Sequence, residues 1–283
     1  MIDFFGAFEM VMQVKSKGRE QHLLDIFCSY DVLRLKHYAR RGDPGRIEVR
    51  SMEGAVALRF DEVGYFNRVY HVEPRALTKL PELMQVYRNS QHSIELIPSM
   101  GMQFTDHAAE LNALGFAPDT RYAWLSRDLT ASDSGDLSTD DIQVRRPLTT
   151  EYDQVLDLYL RGFGAPPESC VSAKANMRLL FDEPRLHFWI VLVDRQPVSL
   201  GMLYHVGNCA FLCGGATLPE FRKHGFHRIL IRRRFHEARL LGCDSVVSWA
   251  VENGQSHDNM CSMGFEMIAG AQSWARSCEQ IEK

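Results

Sequence analysis

The sequence lacks three features that would assign it to a specialised class of protein: a long apolar run, a paired set of cysteines and an excess of basic charge. No apolar run approaches the roughly 20 residues that a membrane-spanning helix needs, so we expect no membrane partner. Lys and Arg number 32 against 36 Asp and Glu, a formal net charge of −4, which gives no indication of nucleic-acid binding. The 7 cysteines are scattered, which is typical of a reducing compartment rather than of a disulfide framework.

Two local patterns narrow the class further. Residues 1–14 are apolar but carry Asp3 and Glu9 and lack a basic leader and a small-residue cleavage site, so we expect a cytoplasmic protein rather than a secreted one. Cys209 and Cys213 are spaced for neither a zinc knuckle nor a redox pair, and the apolar run around them predicts a strand with both on one face. We therefore expect no metal.

A polar segment divides the chain. Asp128 to Asp141 is rich in Ser, Asp, Thr and Gly and holds no aromatic residue, a composition typical of a linker. A length of 283 residues is about two domains' worth. We therefore predict a first domain at residues 1–130, a linker at 131–141 and a second domain at 142–283.

Apolar periodicity predicts helices and strands in both halves, and hence an α/β protein. In the first half it predicts helices at 17–36, 77–87 and 105–114, and strands at 47–50, 55–60, 63–72, 93–97 and 121–127. In the second half, a capping box formed by Thr150 and Asp153 is predicted to open a helix. Further apolar patterns there predict a helix at 225–241 and strands at 142–146, 188–193, 198–206, 210–213 and 245–251.

The two halves repeat the same signals in the same order. Val72-Glu-Pro74 corresponds to Thr217-Leu-Pro219, and Gly115-Phe116 corresponds to Gly264-Phe265. This order and spacing favour an internal duplication. The halves differ after the proline, because the segment following Pro74 has no glycine to match Gly225.

The stretch from Thr217 to Arg228 has the chemistry of a phosphate site. A predicted strand runs into Pro219, a basic loop and Gly225, and a helix follows. The N–H groups from Lys223 to Arg228 are expected to lack intrahelical partners, and the helix dipole favours an anion beside them. The alternative is that Gly225 simply starts a helix and the arginines form a solvated face.

The residues downstream favour a coenzyme site. Asn253, Ser256, Met260, Gly264 and Phe265 follow the loop at offsets of 0, 3, 7, 11 and 12 from the asparagine. Together with Thr217-x-Pro219-x-x-Arg222-x-x-Gly225, this pattern resembles the GNAT superfamily of acyl-CoA-dependent N-acyltransferases. The resemblance implies a tandem arrangement of two GNAT-like domains, each a mixed, mostly antiparallel sheet flanked by helices, with a degenerate first copy that lacks the coenzyme loop.

The resemblance also implies a binding site for acetyl-CoA or another acyl-CoA as co-substrate. The pantetheine arm and the thioester carbonyl would be held by backbone amides of Gly215, Ala216 and Thr217. The pyrophosphate would be held by the loop, and one asparagine would contact the coenzyme: Arg222, Lys223, His224, Gly225, Phe226, His227, Arg228 and Asn253. The implied reaction is direct attack on the thioester by an amine, either a small molecule or a peptide.

Three positions depart from the family pattern. His227 stands where a small residue is usual, and its side chain either crowds the phosphates or, if protonated, contacts one. Met260 replaces the tyrosine that often protonates the leaving thiolate. Ser248 stands where some relatives keep a glutamate base.

The departures leave the catalytic groups open. Glu252 and His257 are the closest candidates for a base, and for each the alternative is a solvated surface residue. A Cys–His site at His257, Asp258 and Cys261 is not expected, because adjacent helical residues point apart. A second function therefore stays open: a non-catalytic acyl-CoA-binding or sensing protein.

Overall fold

The computed structural model describes residues 19–42, 45–133, 142–165 and 170–278, with side chains from residue 23 onwards. The N-terminal segment 1–14 and residues 134–141 of the expected linker lie outside the described residues, and residues 131–133 form a 3₁₀ turn. None of the described helices is both long enough and apolar enough to cross a membrane.

Packing divides the chain into two units. Unit 1 comprises Met1–Trp124 and Ile268–Lys283, and unit 2 comprises Leu125–Met267. The domain boundaries predicted from the sequence, 1–130, 131–141 and 142–283, stay a prediction. The packing units differ from these boundaries mainly at the end of the chain, because most of the last strand, Glu266–Arg276, packs in unit 1.

Unit 1 is a mixed, mostly antiparallel sheet flanked by helices. Its helices are α1 (Arg19–Tyr38), α2 (Pro74–Leu77), α3 (Leu80–Leu83) and α4 (Ala108–Ala113). Its strands are β1 (Ile47–Met52), β2 (Ala55–Phe60), β3 (Arg68–Val72), β4 (Ile94–Pro98), most of β5 (Ala117–Asp128) and most of β11 (Glu266–Arg276). Neighbouring strands are antiparallel from β1 to β3 and between β4 and β11, whereas β3 and β4 are parallel.

Prolines shorten the predicted helix at 77–87. The structure instead has α2, α3 and a 3₁₀ turn at Met84–Tyr87, because Pro74 and Pro81 each occupy a first turn and cannot continue a preceding helix. The helix α2 begins directly after Glu73, without a loop like the one at Gly225. A carboxylate at this helix start disfavours a phosphate there.

Unit 2 has the same kind of sheet. Its strands are β6 (Gln143–Arg145), β7 (Leu186–Val193), β8 (Gln196–Val206), β9 (Cys209–Thr217) and β10 (Ser245–Val251). Pairing is antiparallel from β6 to β9 and parallel between β9 and β10. Its helices are α5 (Tyr152–Gly162), α6 (Cys170–Arg178), α7 (Phe226–Leu240) and α8 (Gln255–Cys261). In each unit, a connection that contains helices joins the two parallel strands, which are β3 and β4 in unit 1 and β9 and β10 in unit 2.

The predicted capping box is wrong. The helix start is held instead by Glu151, whose Oε2 accepts the Leu148 N–H at 2.8 Å and whose carboxylate also pairs with Arg145. Asp153 pairs with Arg178 at 2.6 Å. A turn of 3₁₀ helix at Thr149–Glu151 precedes α5, so Thr150 already lies inside a helical turn and cannot cap it.

Candidate functional site

The site lies where two parallel strands part. Ser245, Val246 and Val247 of β10 pair with Cys209, Ala210 and Phe211 of β9, and within the described chain this pairing goes no further. The next link is made by a side chain, because the buried Ser248 hydroxyl donates to the Leu212 carbonyl at 2.9 Å. Ser248 is thus committed to holding the strands, and it cannot replace a glutamate base.

A β-bulge on the other side of β9 turns its backbone toward the gap. Leu200 pairs with Ala216 and Met202 with Cys213, so two residues of β9, Gly214 and Gly215, stand opposite one residue of β8. Gly214 has a φ of +54°, which favours glycine, and a β-carbon there would displace the terminal methyl group of Met202. The bulge directs the backbone of Gly215 to Thr217 along the gap.

The basic loop is fastened to helix α5. The Arg222 guanidinium donates from Nη2 to the Gly162 carbonyl at 2.8 Å and from Nε to the Thr217 carbonyl at 3.4 Å. Arg222 therefore neutralises the negative end of the α5 dipole while it holds the loop in place. Helix α7 then begins at Phe226, directly after Gly225, whose φ of +82° suits glycine and whose missing side chain leaves open space.

These elements enclose a cavity of about 670 Å³. Its wall comes from the edge of β9, the loop, the first turn of α7 and one face of α8. The lining residues are Gly162, Gly215, Ala216, Thr217, Phe221, Arg222, Lys223, Gly225, Phe226, His227, Arg228, Gln255, Ser256 and Asn259. Three of them are cationic, and none of these described lining residues is Asp or Glu, so the cavity suits an anionic ligand.

All but two of the predicted coenzyme-binding residues line this cavity. The exceptions are His224, whose Nδ1 lies 2.9 Å from the Arg222 carbonyl oxygen, and Asn253, which has a φ of +61° in the turn before α8. The sequence patterns missed Gly162, Phe221, Gln255 and Asn259, and they included Ser256 without assigning it to the coenzyme site. Helical spacing from Ser256 could have indicated Asn259, whereas Gly162 comes from a distant helix and leaves no local signal.

One expected N–H donor is already used. The Arg228 N–H donates to the Gly225 carbonyl at 2.9 Å, so the prediction was wrong for this group. Gly225 has an αL conformation and lies just before the helix, which lets its carbonyl accept the first bond of α7. The N–H groups of residues 223–227 remain as the expected donors to an anion.

The His227 ring lies between Asn259 and Gly215. Its Nδ1 lies 3.2 Å from the Asn259 side-chain amide, and a β-carbon placed on Gly215 would lie 3.1 Å from its Nε2. Burial and the nearby Arg234 guanidinium lower the pKa of His227 to about 4. The ring is therefore neutral at pH 7 in this structure, and contact between a protonated His227 and a phosphate stays a prediction that this ring orientation disfavours.

The two candidate bases do not line the cavity. Glu252 precedes α8, and His257 lies on the opposite face of that helix from Gln255, Ser256 and Asn259. The His257 ring contacts Asp258 Oδ1 at 3.3 Å and Cys261 Sγ at 3.7 Å. The expectation that His257 and Asp258 point apart was therefore wrong, because an exposed aspartate side chain can fold back onto its neighbour. The proposed roles of Glu252 and His257 stay predictions, and the buried Met260 offers no proton.

Comparison with known proteins agrees with this geometry. Residues 152–265 match the model of the acetyltransferase (GNAT) family. A GCN5-related N-acetyltransferase from Kribbella flavida is 14% identical, with a TM-score of 0.60 over 92% of this chain and 96% of that one. A tandem GNAT protein from the clavulanic acid biosynthesis pathway is 13% identical, with a TM-score of 0.58 over 86% and 87%. These findings confirm the family resemblance and the predicted fold class.

Two further comparisons complete the picture. A functionally unknown conserved protein from Staphylococcus epidermidis is 13% identical, with a TM-score of 0.63 over 81% of this chain and 92% of that one. A search of curated proteins finds no match. At these identities the structural neighbours establish the fold.

The contact between His227 and Gly215 predicts a coupled pair of substitutions. Gly215→Ala places a methyl group 3.1 Å from Nε2 and 3.3 Å from Cδ2, which forces the ring to move. We expect this variant to lose about 1–2 kcal/mol of unfolding free energy. In a His227→Ala background the same change should cost less than half as much, and urea unfolding of the four proteins measures the difference. Equal costs in both backgrounds would show that the ring lies elsewhere.

The lowered pKa of His227 predicts acid sensitivity. An unfolded histidine titrates near 6.5 whereas folded His227 titrates at about 4, so between these values the unfolded chain binds the extra proton. Stability attributable to this residue is full above pH 6.5 and falls as pH drops toward 4. Relative to His227→Gln, the native protein should lose about 1–3 kcal/mol over this window, as measured by denaturant unfolding. Parallel pH profiles of the two proteins would contradict the neutral assignment.

Proposed function

We propose that the chain transfers an acyl group, and an acetyl group in the first instance, from acyl-CoA to an amine, because residues 152–265 match the model of the acetyltransferase (GNAT) family. The observation that carries the proposal is the cavity itself. It joins a cationic helix start at Gly225 to an exposed backbone edge at Gly215–Thr217. An acyl-CoA has the same division, with phosphates at one end and a neutral thioester at the other.

The residues present fit such a ligand. The first turn of α7 offers backbone N–H groups and a dipole to the pyrophosphate, and Lys223 and Arg228 add charge beside them. The missing side chain at Gly225 leaves room for phosphate oxygens against the backbone, since no atom lies within 4 Å of where a β-carbon would stand. Arg222 is engaged with two carbonyls, so its main role is to hold the loop rather than to bind phosphate alone.

The chemistry is an acyl substitution. The amine nitrogen attacks the thioester carbonyl carbon, a C–N bond forms, and the C–S bond then breaks to release the coenzyme as a thiolate. The proton lost by the amine passes to a base or to water. Backbone N–H groups along Gly215–Thr217 are the donors proposed to stabilise the developing oxyanion.

The proposed reaction needs a base for the amine proton, and few groups near the cavity can act as one. Glu252 and His257 stay the proposed bases, and because neither lines the cavity each would have to reach the amine through water. A thiolate is a good leaving group, because thiols are far more acidic than alcohols (the cysteine thiol has a pKa of roughly 8.5), so it can leave without a dedicated acid. The proposed transfer therefore does not require a proton donor at Met260.

Thiol release with acetyl-CoA and a panel of small amines and peptide N-termini tests the proposal. We expect amine-dependent release, together with loss of rate in Glu252→Gln or His257→Gln at unchanged coenzyme affinity. Tight coenzyme binding without turnover on any amine would contradict the enzymatic claim and would indicate a non-catalytic acyl-CoA-binding protein.

A matched pair of glycines on α7 tests the phosphate end. Gly225 and Gly242 flank the helix at its two ends, both with positive φ and both with open space around them. Gly225→Asp should abolish acetyl-CoA binding by calorimetry, because it sets a carboxylate against the pyrophosphate. Gly242→Asp carries similar backbone strain and an unfavourable dipole contact, so it should be the less stable variant and yet bind normally. Unchanged affinity in Gly225→Asp would mean that the phosphates bind elsewhere.

A further inference from the structure

The cavity holds one titratable group that the proposed function has not used, the imidazole of His227. It projects from the first turn of α7 into the space between β9 and α8. Its Nδ1 edge faces Asn259, and its Nε2 edge faces Gly215. An imidazole near the thioester could either donate or accept a hydrogen bond there, depending on which ring nitrogen carries the proton.

The hydrogen-bond donors of Arg228 and Asn259 determine which ring nitrogen of His227 carries the proton. The Arg228 guanidinium can only donate, and its Nε lies 3.3 Å from Asn259 Oδ1, so this atom is the amide oxygen. The Asn259 nitrogen therefore faces His227, and it too can only donate. Nδ1 of His227, 3.2 Å away, must accept. In the neutral ring the proton is then on Nε2.

The surroundings keep the ring neutral. Arg234 is 1% exposed, donates to the Leu230 carbonyl at 3.1 Å and the Met202 carbonyl at 3.0 Å, and keeps its positive charge because burial lowers its pKa only to about 10. The groups around the ring are thus two guanidiniums of α7, Arg228 and Arg234, and the Asn259 amide of α8. Burial, and then the Arg234 charge, oppose a positive charge on the ring.

The direction of the Nε2–H group points to an acceptor beside Gly215. Nε2 is the ring atom nearest to where a Gly215 β-carbon would stand, at 3.1 Å. Because Gly215 has no side chain, its backbone and the His227 imidazole face the same part of the cavity. A neutral donor suits a carbonyl oxygen, which gains partial negative charge during attack, better than it suits a phosphate.

We propose that His227, as the Nε2–H tautomer, donates a hydrogen bond to the thioester carbonyl oxygen of the acyl-CoA and stabilises the oxyanion, with Asn259 as the positioning residue that selects the tautomer. The proposal rests on the proposed acyl transfer. It adds a catalytic donor at a position where the family pattern has a small residue. A neutral imidazole used as an electrophile has precedent in enzyme chemistry.

The tautomer is tested first, without ligand. Nitrogen-15 NMR of the ring, assigned by comparison with His227→Gln, should show a protonated Nε2 and a bare Nδ1 at pH 7. In Asn259→Leu the fixed donor is gone, and the spectrum should move toward a mixture of tautomers. A protonated Nδ1 or a doubly protonated ring in the native protein would overturn the proposal.

Isotope-edited infrared spectroscopy then tests the hydrogen bond. Bound acetyl-CoA labelled with carbon-13 at the carbonyl should absorb at lower wavenumber than the same compound in water. The displacement should shrink in His227→Ala and in Asn259→Leu, and it should persist in His205→Gln, whose ring lies against the Gly207 carbonyl in the β8–β9 hairpin. A band that is equally displaced in the native protein and in His227→Ala would overturn this proposal and leave acyl transfer intact.

Kinetics and affinity separate the remaining possibilities. We expect kcat of His227→Ala to fall about 100-fold, with less than a threefold change in the dissociation constant of free CoA. Equal losses of affinity for acetyl-CoA and for free CoA, at unchanged kcat, would place the donor on another part of the coenzyme and overturn the thioester assignment. Failure of the native protein to bind acetyl-CoA would instead overturn the proposed function itself. His227→Gln, which keeps a donor, should recover part of the rate if His227→Ala is poorly folded.

Discussion

The site depends on one structural constraint, which is that backbone pairing between β9 and β10 stops after Phe211. Parallel strands that stayed paired to their ends would close the cavity. Parting them exposes backbone groups, and each buried group left without a partner costs about 1–3 kcal/mol. Ser248 offsets part of this cost, because its hydroxyl donates to the Leu212 carbonyl. On the other side of β9, the buried Arg234 donates to the Met202 and Cys213 carbonyls that flank the bulge.

Arg234 affects both the strands beside the bulge and the protonation of His227. It donates to carbonyls beside the bulge, and its charge adds to burial, the larger cause, in lowering the pKa of His227. The cavity consequently has a cationic end, at Lys223 and Arg228, and an end where the titratable ring is neutral. This gradient matches a ligand that is charged at its phosphates and neutral at its reactive carbonyl.

Local signals in the sequence were enough to predict the loop. The spacing of Pro219, Arg222 and Gly225 describes a strand end, a turn and a helix start, all of which depend on neighbouring residues. The structure places these residues as expected, with the helix beginning one residue after Gly225. Most strands were also predicted, because alternating or continuous apolar runs are local patterns. The strand predicted at 63–72 begins only at Arg68, since Gly64–Phe66 form a 3₁₀ turn, and the strand predicted at 210–213 continues to Thr217 through the bulge.

Features that depend on distant contacts could not be predicted in this way. The position of the His227 ring follows from Gly215, Asn259 and Arg234, which lie on three different elements. Gly162 lines the cavity from α5 because a β-carbon there would lie 2.8 Å from that of Ala216, a contact invisible in the sequence. The packing of the last strand in unit 1 is likewise a long-range outcome. The helix predicted at 77–87 failed for a local reason, the underestimated effect of Pro81.

A crystal structure of the protein with acetyl-CoA tests the central claim most directly. The account predicts that the pyrophosphate lies against the N–H groups of residues 223–227, that the thioester lies beside Gly215, and that its carbonyl oxygen is within hydrogen-bond distance of His227 Nε2. Coenzyme bound outside this cavity, or bound with its thioester directed away from β9, would contradict the account.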